Sequence, residues 1–359
     1  MTGDRAWPIV ELAALAALVI GLIGCVIGAI VASSAFYRAW LCAYLFWLGL
    51  PLGAVTLILV HDLTGGNWMA SARPVLAAAA LTMPLATLAG IPVLIGLRAI
   101  YPWPGASGLG NAWYLNSGFV TLRYAIDFVA WNALAAYALW TPRGVAIGVD
   151  PTLRWLSAIG LLLLAYTVSF AAIDWILSLD PQFWSAVFPM IVGAHWFNTG
   201  LALVLTVIAL SPAGSIERSH LRDLAAILLA TIIFWAYVEF CQFLIVWEEN
   251  LSHEIPWYLR RIADGWRAVT WLIAIAGFFV PFVLLLWNKR SRAVVIAACA
   301  VVLLGRLVES WWLVFPEFPR APPFWLDIAA ILGLGGAMML LLLRRLRHGA
   351  LSIAMSEAR

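Results

Sequence analysis

Charge is what this sequence has least of. Only 11% of its 359 residues are charged, 21 basic and 18 acidic, and lysine is nearly absent, with Lys289 alone among the basic residues. A soluble globular chain carries about 25% charged residues. The mean hydropathy is +0.97, and 64% of residues are hydrophobic. A water-soluble fold of this length has too little interior to hide that much apolar surface, which excludes a soluble enzyme, a nucleic-acid-binding module and a disordered chain. Histidine is scarce too, with five residues. A bis-histidine haem in a membrane bundle needs two intramembrane histidines, and only His195 lies inside an apolar run, so a dihaem cytochrome b is excluded. The four cysteines (Cys25, Cys42, Cys241, Cys299) lie in or at the ends of apolar runs without CxxC spacing, which argues for structural thiols rather than a disulfide framework or an iron–sulfur cluster. No Walker motif, GxGxxG segment, HExxH or nucleophile elbow occurs.

Long apolar runs are what the sequence has in abundance. A helix needs about 20 apolar residues to cross the hydrocarbon core. Ten runs are long enough: 10–32, 40–60, 74–97, 114–140, 155–177, 184–210, 221–247, 266–286, 291–315 and 324–345. They are continuous rather than alternating, so they read as helices. The expectation is an all-α polytopic membrane protein, a single integral membrane domain over 1–359. Breaker signals fall at the joints: Thr64-Gly65-Gly66, Pro102-Trp103-Pro104-Gly105, Asp180-Pro181, Ser211-Pro212-Ala213-Gly214 and Pro319 to Pro323. Arg5 before an apolar run imitates a signal peptide, but a run of about 22 residues is longer than a signal-peptide core, so a retained first helix is expected. Tryptophans near run ends, among them Trp40, Trp113, Trp140, Trp155, Trp184, Trp247, Trp312 and Trp325, read as an interfacial belt.

The basic residues set the orientation. Thirteen lie on the side of both termini: Arg5, Arg73, Arg143, Arg154, Arg218, Arg222, Lys289, Arg290, Arg292, Arg344, Arg345, Arg347 and Arg359. Six lie on the other: Arg38, Arg98, Arg260, Arg261, Arg267 and Arg320. By the positive-inside rule both termini are cytoplasmic, and a multi-pass protein of the bacterial inner membrane is expected.

Ionisable residues inside spans are costly and therefore point to function. They are Arg123 and Asp127, Asp174, His195, Glu239, and Arg306 with Glu309; Asp327 lies just inside the last run. At 1.5 Å per residue Arg123 is roughly 13 Å from the outer end, His195 roughly 16 Å, Glu239 roughly 12 Å and Asp127 roughly 20 Å. Most of these charges thus sit in the outer half. Arg123 and Asp127 are spaced i,i+4 with Asn116 on the same stripe, and Arg306 and Glu309 are spaced i,i+3, the spacings at which side chains meet. Asn198 and Thr199 share a face with His195, Trp235 and Gln242 with Glu239, and Thr167, Phe170 and Ser178 with Asp174. Asp127, Asp174, His195 and Glu239 are the candidates for proton transfer or quinone hydrogen bonding, with Arg123, Arg306 and Glu309 as electrostatic partners. The alternative is that these groups are neutralising structural pairs. The loop 248–265 gathers Glu248, Glu249, His253 and Glu254, then Arg260 and Arg261; without a second histidine at helical spacing it reads as a solvated or partner-docking face, not a metal site. Asp62 beside His61 is a candidate proton entry point.

From about 170 to 317 the chain carries an ordered set of motifs: Asp174-Trp175-Ile176-Leu177-Ser178-Leu179-Asp180-Pro181, Phe183-Trp184-Ser185-Ala186-Val187-Phe188, Phe234-Trp235-Ala236-Tyr237, Gln242, Trp247, Asn250-Leu251, Gly265-Trp266-Arg267, Pro281-Phe282 and Trp311-Trp312-Leu313-Val314. This series resembles the ActF-type membrane subunit of alternative complex III, a quinol:cytochrome c oxidoreductase, within the wider NrfD-like (polysulfide-reductase-type) family. The resemblance implies two four-helix bundles, spans 2–5 and 6–9, with spans 1 and 10 peripheral. It implies a quinone or quinol as substrate and no metal-bound or covalent cofactor in this chain. It also implies haem c and iron–sulfur clusters on partners: a c-type cytochrome, an iron–sulfur protein and a homologous quinol-binding membrane subunit, besides membrane lipids. Asp174 and Ser178-Leu179-Asp180 match the family's span 5–6 signature, and Glu239 falls in its span 7 motif. Two readings compete with this one. A stand-alone secondary transporter would have broken helices, with Gly90-Ile91-Pro92 and Pro281 as candidate breaks. A purely structural assembly subunit is the other.

Overall fold

The computed structural model describes residues 3–69, 72–107, 110–140, 151–211, 218–319 and 323–357, with side chains described from residue 8 to 347 of these. Arg143, the Pro212-Ala213-Gly214 breaker, Arg320 and Arg359 lie outside the described residues, as do the side chains of Arg5 and His348. The described residues are overwhelmingly helical and contain no strand. In a membrane every backbone N–H and C=O must be satisfied within the segment, and a helix does so without a neighbour.

The helices run α1 (Gly3–Val31), α2 (Ser33–Thr64), α3 (Arg73–Ala80), α4 (Met83–Ile95), α5 (Leu97–Ile100), α6 (Ser117–Trp140), α7 (Pro151–Trp175), α8 (Phe188–Leu210), α9 (Arg218–Glu249), α10 (Ile255–Ile262), α11 (Trp266–Ala274), α12 (Val280–Asn288), α13 (Arg292–Val314) and α14 (Phe324–Glu357). Nine segments among the described residues are long and apolar enough to cross a membrane. Of the ten expected runs, 114–140 is the one outside that set: α6 has 24 residues but carries Arg123, Asp127 and Asn132 within them. The chain is an all-α polytopic membrane protein. Several boundaries move outward from expectation, because polar residues can extend a helix beyond its apolar stretch. α2 begins at Ser33 rather than near 40, taking Arg38 into the helix, and ends at Thr64, taking in His61 and Asp62. Gly65 and Gly66 then turn the chain at φ 74° and 92°, a region glycine enters at little cost.

Proline explains the internal interruptions. Pro84 has no N–H for the carbonyl of Ala80, and the ladder breaks there, between α3 and α4. Pro281 likewise leaves the Gly277 carbonyl without its helical donor, and Ile275–Phe279 form a π turn between α11 and α12. The Gly90-Ile91-Pro92 break does not occur: α4 runs through it and ends at Gly96, whose N–H bonds the Pro92 carbonyl.

The helices α2, α3–α4, α6 and α7 pack as one bundle, and α8, α9, α11–α12 and α13 as a second. α2 is buried along most of its length and joins the two, packing on α8. A Cβ on Gly53 would sit 2.8 Å from the Cα of Gly200, so the backbones meet through small residues, as membrane helices commonly do. α1 and α14 pair antiparallel at the edge through Gly21 and Gly333 and lean on α2. The tryptophan belt is only partly a belt. Trp113, Trp140, Trp155, Trp184, Trp247 and Trp325 are exposed, as expected. Trp40 and Trp312 are buried, with indole N–H groups donated to Ala89 O (2.7 Å) and Thr270 Oγ1 (2.8 Å). The four cysteines are free thiols, and all but Cys241 are buried.

Candidate functional site

Two charged clusters are buried in the half of the molecule away from the chain termini, one in each bundle. In the first, Arg123 of α6 donates through Nε and Nη2 to both oxygens of Asp174 in α7, each at 2.7 Å. Nη2 also bonds Tyr114 O at 3.1 Å, and the guanidinium lies 3.7 Å from the Tyr114 ring centroid and 4.3 Å from that of Phe119. This corrects the expected Arg123–Asp127 pair. Helical side chains lean toward the helix N-terminus, so Arg123 reaches back toward Tyr114 and Asp174 and away from Asp127, one turn deeper. Asp127 is buried at 3% exposure and makes no hydrogen bond or ion pair with the described residues. Asn116, expected on the charged stripe, instead caps α6: its side-chain oxygen accepts the Phe119 N–H at 2.9 Å.

Tyr114 had no sequence signal beyond standing in an aromatic loop. Its hydroxyl is buried beside the Asp174 carboxylate without an aligned hydrogen bond. Burial and the Asp174 charge hold its phenol above the ordinary range. Ser178 donates to Asp174 O, and Tyr101 donates to Trp175 O at 3.1 Å. Phe170 faces outward, not into this cluster. Against the cluster lies a cavity of about 570 Å³, walled by Trp113, Tyr114, Ile173, Leu177, Phe183 and Trp184, with Asn111, Ser178 and Ser185 as its polar side chains. That size and lining suit a small-molecule site: largely apolar, with a few placed polar groups.

The second cluster centres on Glu309 of α13. Its Oε2 is 2.6 Å from Arg306 Nη1 and 2.8 Å from His195 Nδ1, and its Oε1 accepts the Trp235 indole N–H at 3.0 Å. The expected Arg306–Glu309 pair is present. Nδ1 of His195 carries the hydrogen when it faces an ionised carboxylate, and Nε2 lies 3.4 Å from the Ser310 hydroxyl. Arg306 is fully buried, yet none of its three guanidinium nitrogens has an aligned hydrogen bond. It is held by charge and by the Trp235 ring, 3.7 Å away. Gly277, in the π turn, makes room: a Cβ there would lie 2.3 Å from Arg306 Nη2. Glu239 of α9 is half-buried. It faces the charges of Glu309, Arg306 and Arg261 and bonds to none of the described residues. Gln242, on its face, is taken by Ser185. Thr199 bonds back to His195 O, and Asn198 accepts from Thr231 at 2.6 Å.

Each cluster therefore holds one guanidinium and two carboxylates. If all are ionised, one negative charge is surplus in a low-dielectric interior, and a proton is the simplest compensation. The surplus carboxylates are Asp127 and Glu239.

The loop 248–265 is not simply a solvated face. Within it α10 buries Arg261 completely against Trp257 and Trp312, donating to Trp312 O (3.1 Å), Leu313 O (2.9 Å) and Glu317 Oε1 (2.6 Å). Burial lowers the Arg261 guanidinium to about 10, opposed by the Glu317 carboxylate. Arg260 bridges Asp180 and Glu317, tying the α7–α8 connection to the end of α13. At the opposite end Asp62 is closed off by Arg73 (2.8 Å) and lies 3.5 Å from His61 Nδ1. Asp327 is buried with Oδ1 unpartnered. Among the described residues no group of three or more His, Cys, Asp or Glu side chains is arranged to hold a metal ion.

Comparison with known protein families and with curated proteins finds no match for this chain.

Proposed function

We propose that this chain is a membrane subunit of a respiratory quinol-oxidising complex of the quinol:cytochrome c oxidoreductase type. It contributes a quinone-interacting site and a proton-conducting half-channel and anchors peripheral redox subunits. The observation that carries the reading is the aromatic cavity beside the buried Arg123–Asp174 pair. Quinol oxidation needs an apolar slot for the ring, and a carboxylate or histidine to take each proton. Tyr114 connects the two, lining the cavity while contacting both charged partners. Asp174 is the proton acceptor nearest the ring, Arg123 orients it, and Asp127 lies deeper on the same helix. In the second bundle His195, Glu309 and Glu239 form the hydrogen-bonding and proton-holding group, tuned by Arg306. The ordered motifs from 170 to 317 support the same family of function. On this reading the electrons leave to haem c and iron–sulfur clusters on partner subunits, beside a homologous quinol-binding membrane subunit. The cavity faces the outside of the bacterial inner membrane, and both termini are cytoplasmic.

Purification from native membranes in mild detergent tests the reading. The expected result is co-isolation with subunits whose spectra show c-haem and iron–sulfur signals, together with quinol-driven reduction of a cytochrome. A monodisperse single chain that moves solute in liposomes overturns it.

A further inference from the structure

The aromatic cavity of the first bundle and the charged cluster of the second meet at Gln242. Ser185, just ahead of α8, lines the cavity. Its Oγ accepts the Phe188 N–H at 3.0 Å and donates its hydrogen to Gln242 Oε1 on α9. Gln242 is buried at 3% exposure, and this is the one hydrogen bond its side chain makes among the described residues. Its amide nitrogen is therefore a donor without a described acceptor.

Glu239 stands three residues earlier on α9, and Cβ atoms at that spacing lie about 5–6 Å apart. Helical side chains lean toward the helix N-terminus, which carries Gln242 toward Glu239. Glu239 itself bonds to none of the described residues. The charges facing it are Glu309 and Arg306 of α13 and Arg261 of α10. The Tyr258 hydroxyl of α10, buried and unpartnered, faces it too, and His195 of α8 is engaged by Glu309. An unbonded carboxyl is thus flanked by two idle donors. Ser185 has a single hydrogen to give, and a ligand oxygen in the cavity competes with Gln242 for it.

We infer that Gln242 is a two-position switch, bonded to Ser185 when the cavity is empty and to Glu239 when a ligand oxygen takes the Ser185 hydrogen. Filling the cavity in one bundle thereby releases a proton in the other. The Gln242 N–H favours the ionised carboxylate; the Glu239 O–H breaks, its electron pair stays on the carboxylate, and the proton passes to outer-side water. This rests on the quinol reading above, whose ring oxygens supply the acceptor. Gln242 is a positioning residue: it touches no ligand and acts through Ser185 and Glu239.

The test uses the full chain, within its complex, in lipid nanodiscs at neutral pH. Dicyclohexylcarbodiimide modifies carboxyls that hold a proton. Its incorporation at Glu239 is read by peptide mass spectrometry, with and without saturating methylnaphthoquinone. Quinone binding is measured in parallel by equilibrium dialysis, and Asp327, on the edge helix α14, is the reference carboxyl. The expected result is about tenfold lower labelling of Glu239 in quinone-bound wild type, with Asp327 unchanged. Ser185→Ala, which frees Gln242 permanently, should show the low level without quinone; Gln242→Leu should stay at the high level with it. The wild-type comparison decides even where a variant fails to fold. Bound quinone with unchanged Glu239 labelling, a parallel fall at Asp327, or Ser185→Ala labelled like empty wild type overturns the inference and leaves the quinol reading standing. So does an absence of Glu239 labelling in the empty protein. Failure of wild type to bind the quinone removes the quinol reading and the inference together.

Discussion

The two bundles each bury one arginine against two carboxylates, but they hold the arginine differently. In the first, Arg123 is held by aligned bonds, two to Asp174 and one to Tyr114 O, with two rings against its faces and Nη1 alone left without a partner. In the second, Arg306 has a close carboxylate and one ring but no aligned bond, while Glu309 is shared with His195 and Trp235. Bidentate arginine–carboxylate geometry gives rigidity. A carboxylate contested by a guanidinium and an imidazole has more than one arrangement of similar energy, which is the property a proton-exchanging group needs. On the proposed reading, Arg123 fixes the position of the Asp174 acceptor beside the cavity in one bundle, and Glu309 is the carboxylate with exchangeable partners in the other.

The largest effect that sharpens this contrast is removal of the guanidinium. Arg306→Leu strips Glu309 of its guanidinium partner and should cost about 3–5 kcal/mol, read as a loss of folded yield and thermal stability in detergent. Adding Glu309→Leu should return most of it, since an apolar pair can replace a buried ion pair. Arg123→Leu should cost less, because Asp174 adjoins Tyr114 and Ser178, which line a cavity large enough to hold water. Equal losses at the two sites would erase the distinction. Next comes Gly277→Ala. Its methyl would displace Arg306, so about 1–3 kcal/mol is expected, whereas Gly193→Ala, whose Cβ makes only ordinary contact, should be nearly neutral. Smaller again is Asn116→Ala, which removes the α6 cap for about 1 kcal/mol and should loosen the start of α6 in hydrogen exchange without touching the second cluster. Smallest is Glu239→Gln: a side chain with no hydrogen bond to lose should shift stability by no more than about 0.5 kcal/mol.

Much of this architecture is legible in the sequence, because the bilayer imposes one rule on every span. Apolar length marks a helix, and the ten runs correspond to the helices between α1 and α14, including the weakly apolar α6. The Arg306–Glu309 pair is legible for a local reason, three residues on one helix face. Arg123–Asp174 is not: its partners are 51 residues apart, and the nearer Asp127 satisfies the i,i+4 rule while lying on the side away from which the arginine leans. Arg261 reads as a surface charge in a polar loop, and only the docking of α10 on Trp312 buries it. Trp40 and Trp312 read as belt residues because position along a span is visible in sequence and rotation about its axis is not. The aromatic cavity is invisible for the same reason: Ile173 and Leu177 read as ordinary apolar residues until Trp113, Tyr114 and Trp184 face them.

The exchangeable role of the second cluster is tested most directly by quinol-driven turnover and proton release in the assembled complex carrying Glu239→Gln, with Asp174→Asn measured alongside. Because Glu239 bonds to none of the described residues, the variant should assemble with wild-type stability, so a change in rate reports on protons rather than folding. Full assembly is expected, with turnover or proton release reduced by about a hundredfold in Glu239→Gln. Full assembly with wild-type turnover and proton release in that variant, whatever Asp174→Asn does, would contradict the exchangeable role.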